Sequence, residues 1–208
     1  MRDASARAAL VRRSQWYSRI TLFYNSLEGI VSIGAGIMAG SVALVGFGMD
    51  SVIEVVSSLA ALWRLKGDAD VANRERSERI ALRVIGSSFL ALACYVLADA
   101  AHALYAREMP EKSVPGLVIT VLSVVIMPVL SRAKRRIALG LGSRALTADA
   151  AQTNLCAYLS AIALAGLFLN AALGWWWADP VAALVMVPII AREGVQGWRG
   201  EEHCDECA

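Results

Sequence analysis

The stretch ITLFYNSLEGIVSIGAGIMAGSVALVGFGMDSVIEVVSSLAALW, residues 20–63, decides the fold, because its 44 residues carry only three charges, the acids Glu28, Asp50 and Glu54. At about 1.5 Å of rise per residue, one helix of that length would be twice as long as a bilayer's hydrocarbon core is thick. The stretch therefore crosses twice, and Ala39-Gly40-Ser41 is the natural point of reversal. An acid inside a membrane span costs at least about 2.5–3.5 kcal/mol and is tolerated where it faces protein, an aqueous cavity or a bound cation. Asp50 and Glu54 lie four apart and share one helix face. Two like charges so placed in low dielectric call for a cation or for protons.

The rest of the chain repeats this pattern. With 57% hydrophobic residues and a mean hydropathy of +0.53, the 208 residues read as an all-α, polytopic membrane protein with no separate soluble domain. Spans are expected at about 17–39, 42–64, 80–105, 115–130, 146–173 and from about 180, six in all. Residues 66–83 read as a solvated loop with a helical start to span three, and 106–115 as a proline-broken loop. The basic run Arg132-Ala-Lys-Arg-Arg136 should end span four, with flexible glycines at 139–142 after it. Trp175, Trp176 and Trp177 suit a headgroup interface, and Pro180 suits a first helical turn. Residues 1–16 are expected to form an N-terminal arm, 17–192 the six-helix domain and 193–208 a tail. The start of the chain lacks the pattern of a removable signal peptide, so the first span is expected to remain.

All but Arg107 and Lys112 of the 20 lysines and arginines fall on one side of this arrangement. That asymmetry places both termini in the cytoplasm of a multi-pass cell-membrane protein, for which a bacterial inner membrane is the expected setting. Orientation accounts for the basic loops, and no nucleic-acid partner is needed. The scattered cysteines form no disulfide framework.

Polar residues within the spans fall on shared faces. Glu28 follows Asn25 by three, Glu54 follows Asp50 by four, and Asp149, Gln152 and Cys156 are spaced three and four. If spans two and five are neighbours, Asp50, Glu54, Gln152 and Cys156 offer O, O, O and S donors, enough to surround a divalent metal. Gln152 and Asn154 would serve equally well as interhelical hydrogen-bonding groups. Asp149, on the face of Gln152 and Cys156, is a further candidate metal ligand, although it and Asp99 lie near span ends, where they can reach water; His102 reads as an interfacial residue. Gly34, Gly36 and Gly40 would permit close helix approach, Gly36 and Gly40 as a small-xxx-small contact.

The runs Gly40-Ser-Val-Ala-Leu-Val-Gly-Phe-Gly-Met-Asp50-Ser-Val-Ile-Glu54, Ser143-Arg-Ala-Leu-Thr-Ala-Asp149-Ala-Ala-Gln152-Thr-Asn-Leu-Cys156 and Ala178-Asp-Pro-Val-Ala182 resemble spans two, five and six of the cation diffusion facilitator transporters. The resemblance extends from about Tyr17 to Ala191. It implies a homodimer that exchanges zinc or a related metal for protons, with the metal held by an acidic pair in span two and a second pair in span five. Asp50 and Glu54 match the first pair, and Gln152 and Cys156 the second. The family's usual residues in the second pair are His or Asp and then Asp, so a neutral amide and a soft thiol stand here instead. Glu28 on span one could supply the missing carboxylate. The family commonly carries a cytoplasmic metal-binding domain after span six, so the chain resembles a membrane-only branch.

The tail Glu201-Glu-His203-Cys204-Asp-Glu-Cys207 has metal-ligand spacing and could capture a cation at the cytoplasmic mouth; a disordered acidic tail with free thiols is the plainer alternative. The expected function is efflux of a divalent transition metal, zinc first, by metal/proton antiport with alternating access and no prosthetic group. A non-transporting metal sensor or scaffold working through the tail is the rival. An enzyme using Cys156 as nucleophile is disfavoured, since no span histidine lies at helical spacing to act as its base.

Overall fold

A computed structural model of the protein describes residues 2–66 and 71–199 as six helices: α1 (Arg2–Ala39), α2 (Val42–Lys66), α3 (Val71–Ala106), α4 (Val114–Leu141), α5 (Arg144–Leu173) and α6 (Ala178–Arg199). The tail residues His203, Cys204 and Cys207 lie outside the described residues. Among the described residues five helices are long and apolar enough to cross a membrane; α6 has an apolar run from Pro180 to Ala191 before Arg192 and Glu193. The six-helix expectation holds.

Local chemistry sets the reversals. The α1–α2 turn is two residues, Gly40 and Ser41, with Gly40 at φ 65°, a left-handed conformation that suits a residue without Cβ. Ser41 Oγ then accepts from Leu44 N at 3.1 Å, covering one of the free N–H groups at the start of α2. The α4–α5 turn works the same way: Gly142 at φ 60° ends α4, and Ser143 caps α5 by accepting from Leu146 N. Pro115 lies in the first turn of α4 behind the Ser113 cap, where a missing N–H costs nothing.

Several boundaries differ from the sequence expectation. The arm at 1–16 is not separate from span one, because α1 runs unbroken from Arg2. Most of the loop expected at 66–83 is helix, since α3 begins at Val71. The basic run does not end the helix: α4 continues through Arg132–Arg136 to Leu141, for arginine and lysine are good helix formers and Gly142 is the first residue that breaks the helix.

Three close pairs organise the bundle, α1 with α2, α3 with α6, and α4 with α5. Helices α2 and α5 pack against each other and against three further helices each, so they form its centre. Glycines permit the tightest approaches. A Cβ on Gly36 would meet Val45 N at 2.9 Å, and one on Gly86 would meet Trp198 N at 2.4 Å. In a membrane, where burial of apolar surface gives little drive between helices, such contact is a main source of association. Gly34 faces open space and Gly40 serves the turn, so the expected small-xxx-small pair reduces to Gly36 alone.

The interior has two characters. An apolar cluster including Phe47, Phe89, Leu92, Val96, Leu159, Met186 and Ile190 joins α2, α3, α5 and α6. On the other side α1 is turned inside out: Ser14, Ser18, Thr21, Asn25, Glu28 and Ser32, spaced four and three, are buried, while Trp16, Phe23, Leu27, Ile30 and Ile37 face outward. Near the α4–α5 turn, Ile137, Ala138, Leu141 and Leu146 form a second small cluster that receives Leu10, Val11 and Tyr17 of α1.

Candidate functional site

Helices α2 and α5 run antiparallel, and their facing residues form a ladder of polar rungs. Ser58 Oγ donates to Asp149 Oδ1 at 3.1 Å. One turn further along α2, Thr153 Oγ1 donates to Glu54 Oε1. A turn beyond that, Asp50 and Cys156 are neighbours. Four residues of helix rise about 6 Å, so the rungs are spaced about that far apart.

Glu28 joins from α1. Its Oε2 accepts from Ser51 Oγ at 3.2 Å and lies 3.8 Å from Cys156 Sγ. Cys156 therefore has Glu28, Asp50 and Glu54 as its charged neighbours, and Ser123 of α4 and Tyr24 of α1 lie beside Glu28. Asp50, Glu54, Glu28, Gln152 and Cys156 are each at most 4% exposed.

These groups are only half satisfied. Asp50 Oδ2, Glu54 Oε2, Glu28 Oε1, both amide atoms of Gln152 and both of Asn25 have no hydrogen-bond partner. Buried polar atoms are nearly always paired, so five unpaired acceptor oxygens and two unpaired amide NH2 groups gathered on helices α1, α2 and α5 set this region apart. Among the described residues, no three His, Cys, Asp or Glu side chains stand in the convergent arrangement of a ready-formed metal site.

The α2–α5 contact thus brings Asp50, Glu54 and Cys156 together, with Glu28 beside them; Gln152 is buried on α5 next to Thr153, with both amide atoms unpaired. Asp149 is used differently. It does not reach water: it is 2% exposed and pairs with Lys134 Nζ at 2.9 Å. Lys134 also donates to Thr153 Oγ1 at 2.9 Å and lies 3.8 Å from Glu54 Oε1. Asn154 is exposed, away from the interface. Asp99 accepts from Tyr95 on an exposed part of α3, and His102 is exposed with Glu108 at 3.5 Å.

Sequence reasoning missed Lys134, Thr153, Ser51 and Ser58. A signal for Lys134 existed. Thr120, Ser123, Met127, Ser131 and Lys134 recur at three or four residues and are all buried on α4. Ending the span before the basic run hid that stripe.

The chain matches the family model described as the cation efflux transmembrane domain over residues 18–197. It is 29% identical over 138 residues to transmembrane protein 163 of Xenopus laevis, covering 66% of this chain and 49% of that protein. It is also 23% identical over 179 residues to a protein named as an uncharacterized transporter of Methanocaldococcus jannaschii, covering 83% of this chain and 63% of that one. The chain thus spans less than two thirds of the length of either relative.

Proposed function

Starting from the chain's membership of the cation efflux transmembrane family, shown by a match over residues 18–197, we propose that it exports a divalent transition metal, zinc first, in exchange for protons. The observation that carries this reading is the ladder between α2 and α5, which holds Asp50 and Glu54 buried with unpaired oxygens opposite Cys156 and Thr153. Asp50, Glu54 and Cys156 supply the ligands, Glu28 adds a carboxylate from α1, and Gln152 offers a neutral oxygen. A thiol and three carboxylates suit zinc and softer ions better than magnesium or calcium.

Proton exchange follows from the ligands. Carboxylates and a thiol must be deprotonated to hold a metal, so loading releases protons and reprotonation favours release. The buried polar stripe of α1, from Ser14 to Ser32, supports a polar path alongside the site. Alternating access would come from rocking of helix groups around that path. The basic residues favour cytoplasmic termini in a cell membrane, and a homodimer is the family's arrangement.

Purified protein in sealed liposomes, with a metal-sensitive dye and a pH dye inside, tests the reading. Zinc entry should alkalinise the lumen, since protons leave in exchange, and Asp50→Asn should stop both signals. Zinc movement without a pH response would remove the antiport; absence of divalent transport altogether would remove the function.

A further inference from the structure

Lys134 is a basic residue buried, at 5% exposure, among the site's acids. From α4 its ammonium reaches Asp149 Oδ2 and Thr153 Oγ1, each at 2.9 Å, and stands 3.8 Å from Glu54 Oε1. The same Glu54 oxygen accepts from Thr153, while Glu54 Oε2 has no partner. Asp149 is anchored on its other oxygen by Ser58. Lys134 is thus held at one rung of the ladder and leans toward the next.

We propose that Lys134 is a tethered counter-cation that sets the charge selectivity of the site: it occupies the field of Glu54 when no metal is bound, and an incoming ion must outcompete it. This deepens the proposed transport reading and rests on it. Coulomb energy scales with charge over distance, so a 2+ ion about 2 Å from a Glu54 oxygen attracts it roughly three to four times as strongly as an ammonium at 3.8 Å. A monovalent ion at the same distance gains about half as much, so its margin over the tethered ammonium is only about twofold. Divalent ions therefore compete with the lysine more effectively than monovalent ions do. Asp149 keeps the ammonium paired after displacement, so no charge is stranded in low dielectric.

Asp149 and Lys134 then have opposite effects, which a merely structural ion pair would not produce. Zinc binding to the purified full-length protein in detergent, measured by calorimetry in sodium chloride and in choline chloride, reads both. Asp149→Asn leaves Glu54 as the lysine's sole carboxylate, and zinc affinity should fall about tenfold. Lys134→Met combined with Asp149→Asn, which removes the pair without stranding a charge, should raise affinity about tenfold above Asp149→Asn alone and make it fall in sodium relative to choline. Equal affinities across the three proteins, with no sodium sensitivity, overturn the proposal. Should the double variant not fold, unchanged affinity in Asp149→Asn overturns it by itself. Loss of zinc binding in Asp50→Asn alongside those negative results would leave the metal site standing and fail only the lysine; wild-type protein that binds no zinc, or binds it independently of Asp50, fails both.

Discussion

Asp179, in the first turn of α6, accepts a hydrogen bond at 2.6 Å from the hydroxyl of Ser41, 138 positions earlier in the chain. Its second oxygen accepts from Ala43 N at 3.3 Å, so one carboxylate from α6 helps cap α2. The α1–α2 reversal is thereby fastened to the start of the last helix, at the opposite end of α2 from its basic terminus.

Removing that fastening should cost stability. Asp179→Ala strips the partner from Ser41 and Ala43, and hydrogen bonds to a charged group contribute about 1.5–3 kcal/mol. A lowered thermal unfolding midpoint in detergent is expected, with Asp179→Asn recovering part of it. An unchanged midpoint for the alanine variant would show the cap to be dispensable.

Transport should depend on the α2 acids. Asp50→Asn and Glu54→Gln each remove a charge a cation needs while lowering the cost of membrane insertion. Both proteins should insert and purify normally yet fail to move zinc into liposomes. Wild-type rates in both would remove the α2 site.

Cys156 should tune metal preference. Cys156→Asp restores a carboxylate where the resemblance expects one and replaces soft sulfur with hard oxygen, so the ranking of ions should move toward harder ones such as manganese. An identical ranking in Cys156→Asp and Cys156→Ala would reduce the thiol to packing.

Two glycines on different faces should answer oppositely to one added methyl. Gly86→Ala places a Cβ 2.4 Å from Trp198 N, a backbone atom that cannot swing aside, and overpacking of this kind costs about 1–3 kcal/mol. Gly34→Ala meets nothing within 4 Å and should be neutral or stabilising by up to about 1 kcal/mol, as helix propensity dictates. Thermal unfolding of the two variants side by side checks the contrast.

What the sequence made legible follows from which signals are local. Residues 20–63 announced two crossings because length and charge scarcity are properties of the segment itself, and Gly40-Ser41 announced the turn because a left-handed residue and a cap are chosen locally. That Asp50 and Glu54 share a face was readable from their spacing; that they meet α5 depended on packing, which the sequence could state only as a condition. Lys134 was passed over because the basic run that orients the chain also hides one lysine turned inward; the stripe from Thr120 to Lys134 pointed to it, but only the continuation of α4 to Leu141 makes that stripe one helix face. Asp149 was misjudged for the matching reason, since a residue near a span's end looks wet until its partner is found.

The contact of Leu10 and Val11 with the cluster around Ile137, Leu141 and Leu146 has a mechanical consequence. Glu28 lies 18 residues along the same unbroken helix from Leu10, about 27 Å away. A tilt of this rod that moves Glu28 relative to Asp50 must either pivot at that contact or carry the α4–α5 hairpin with it. In the second case helices α1, α4 and α5 turn as one lever arm that slides along the close α1–α2 contact at Gly36 and Val45, with α3 and α6, locked at Gly86, on the far side.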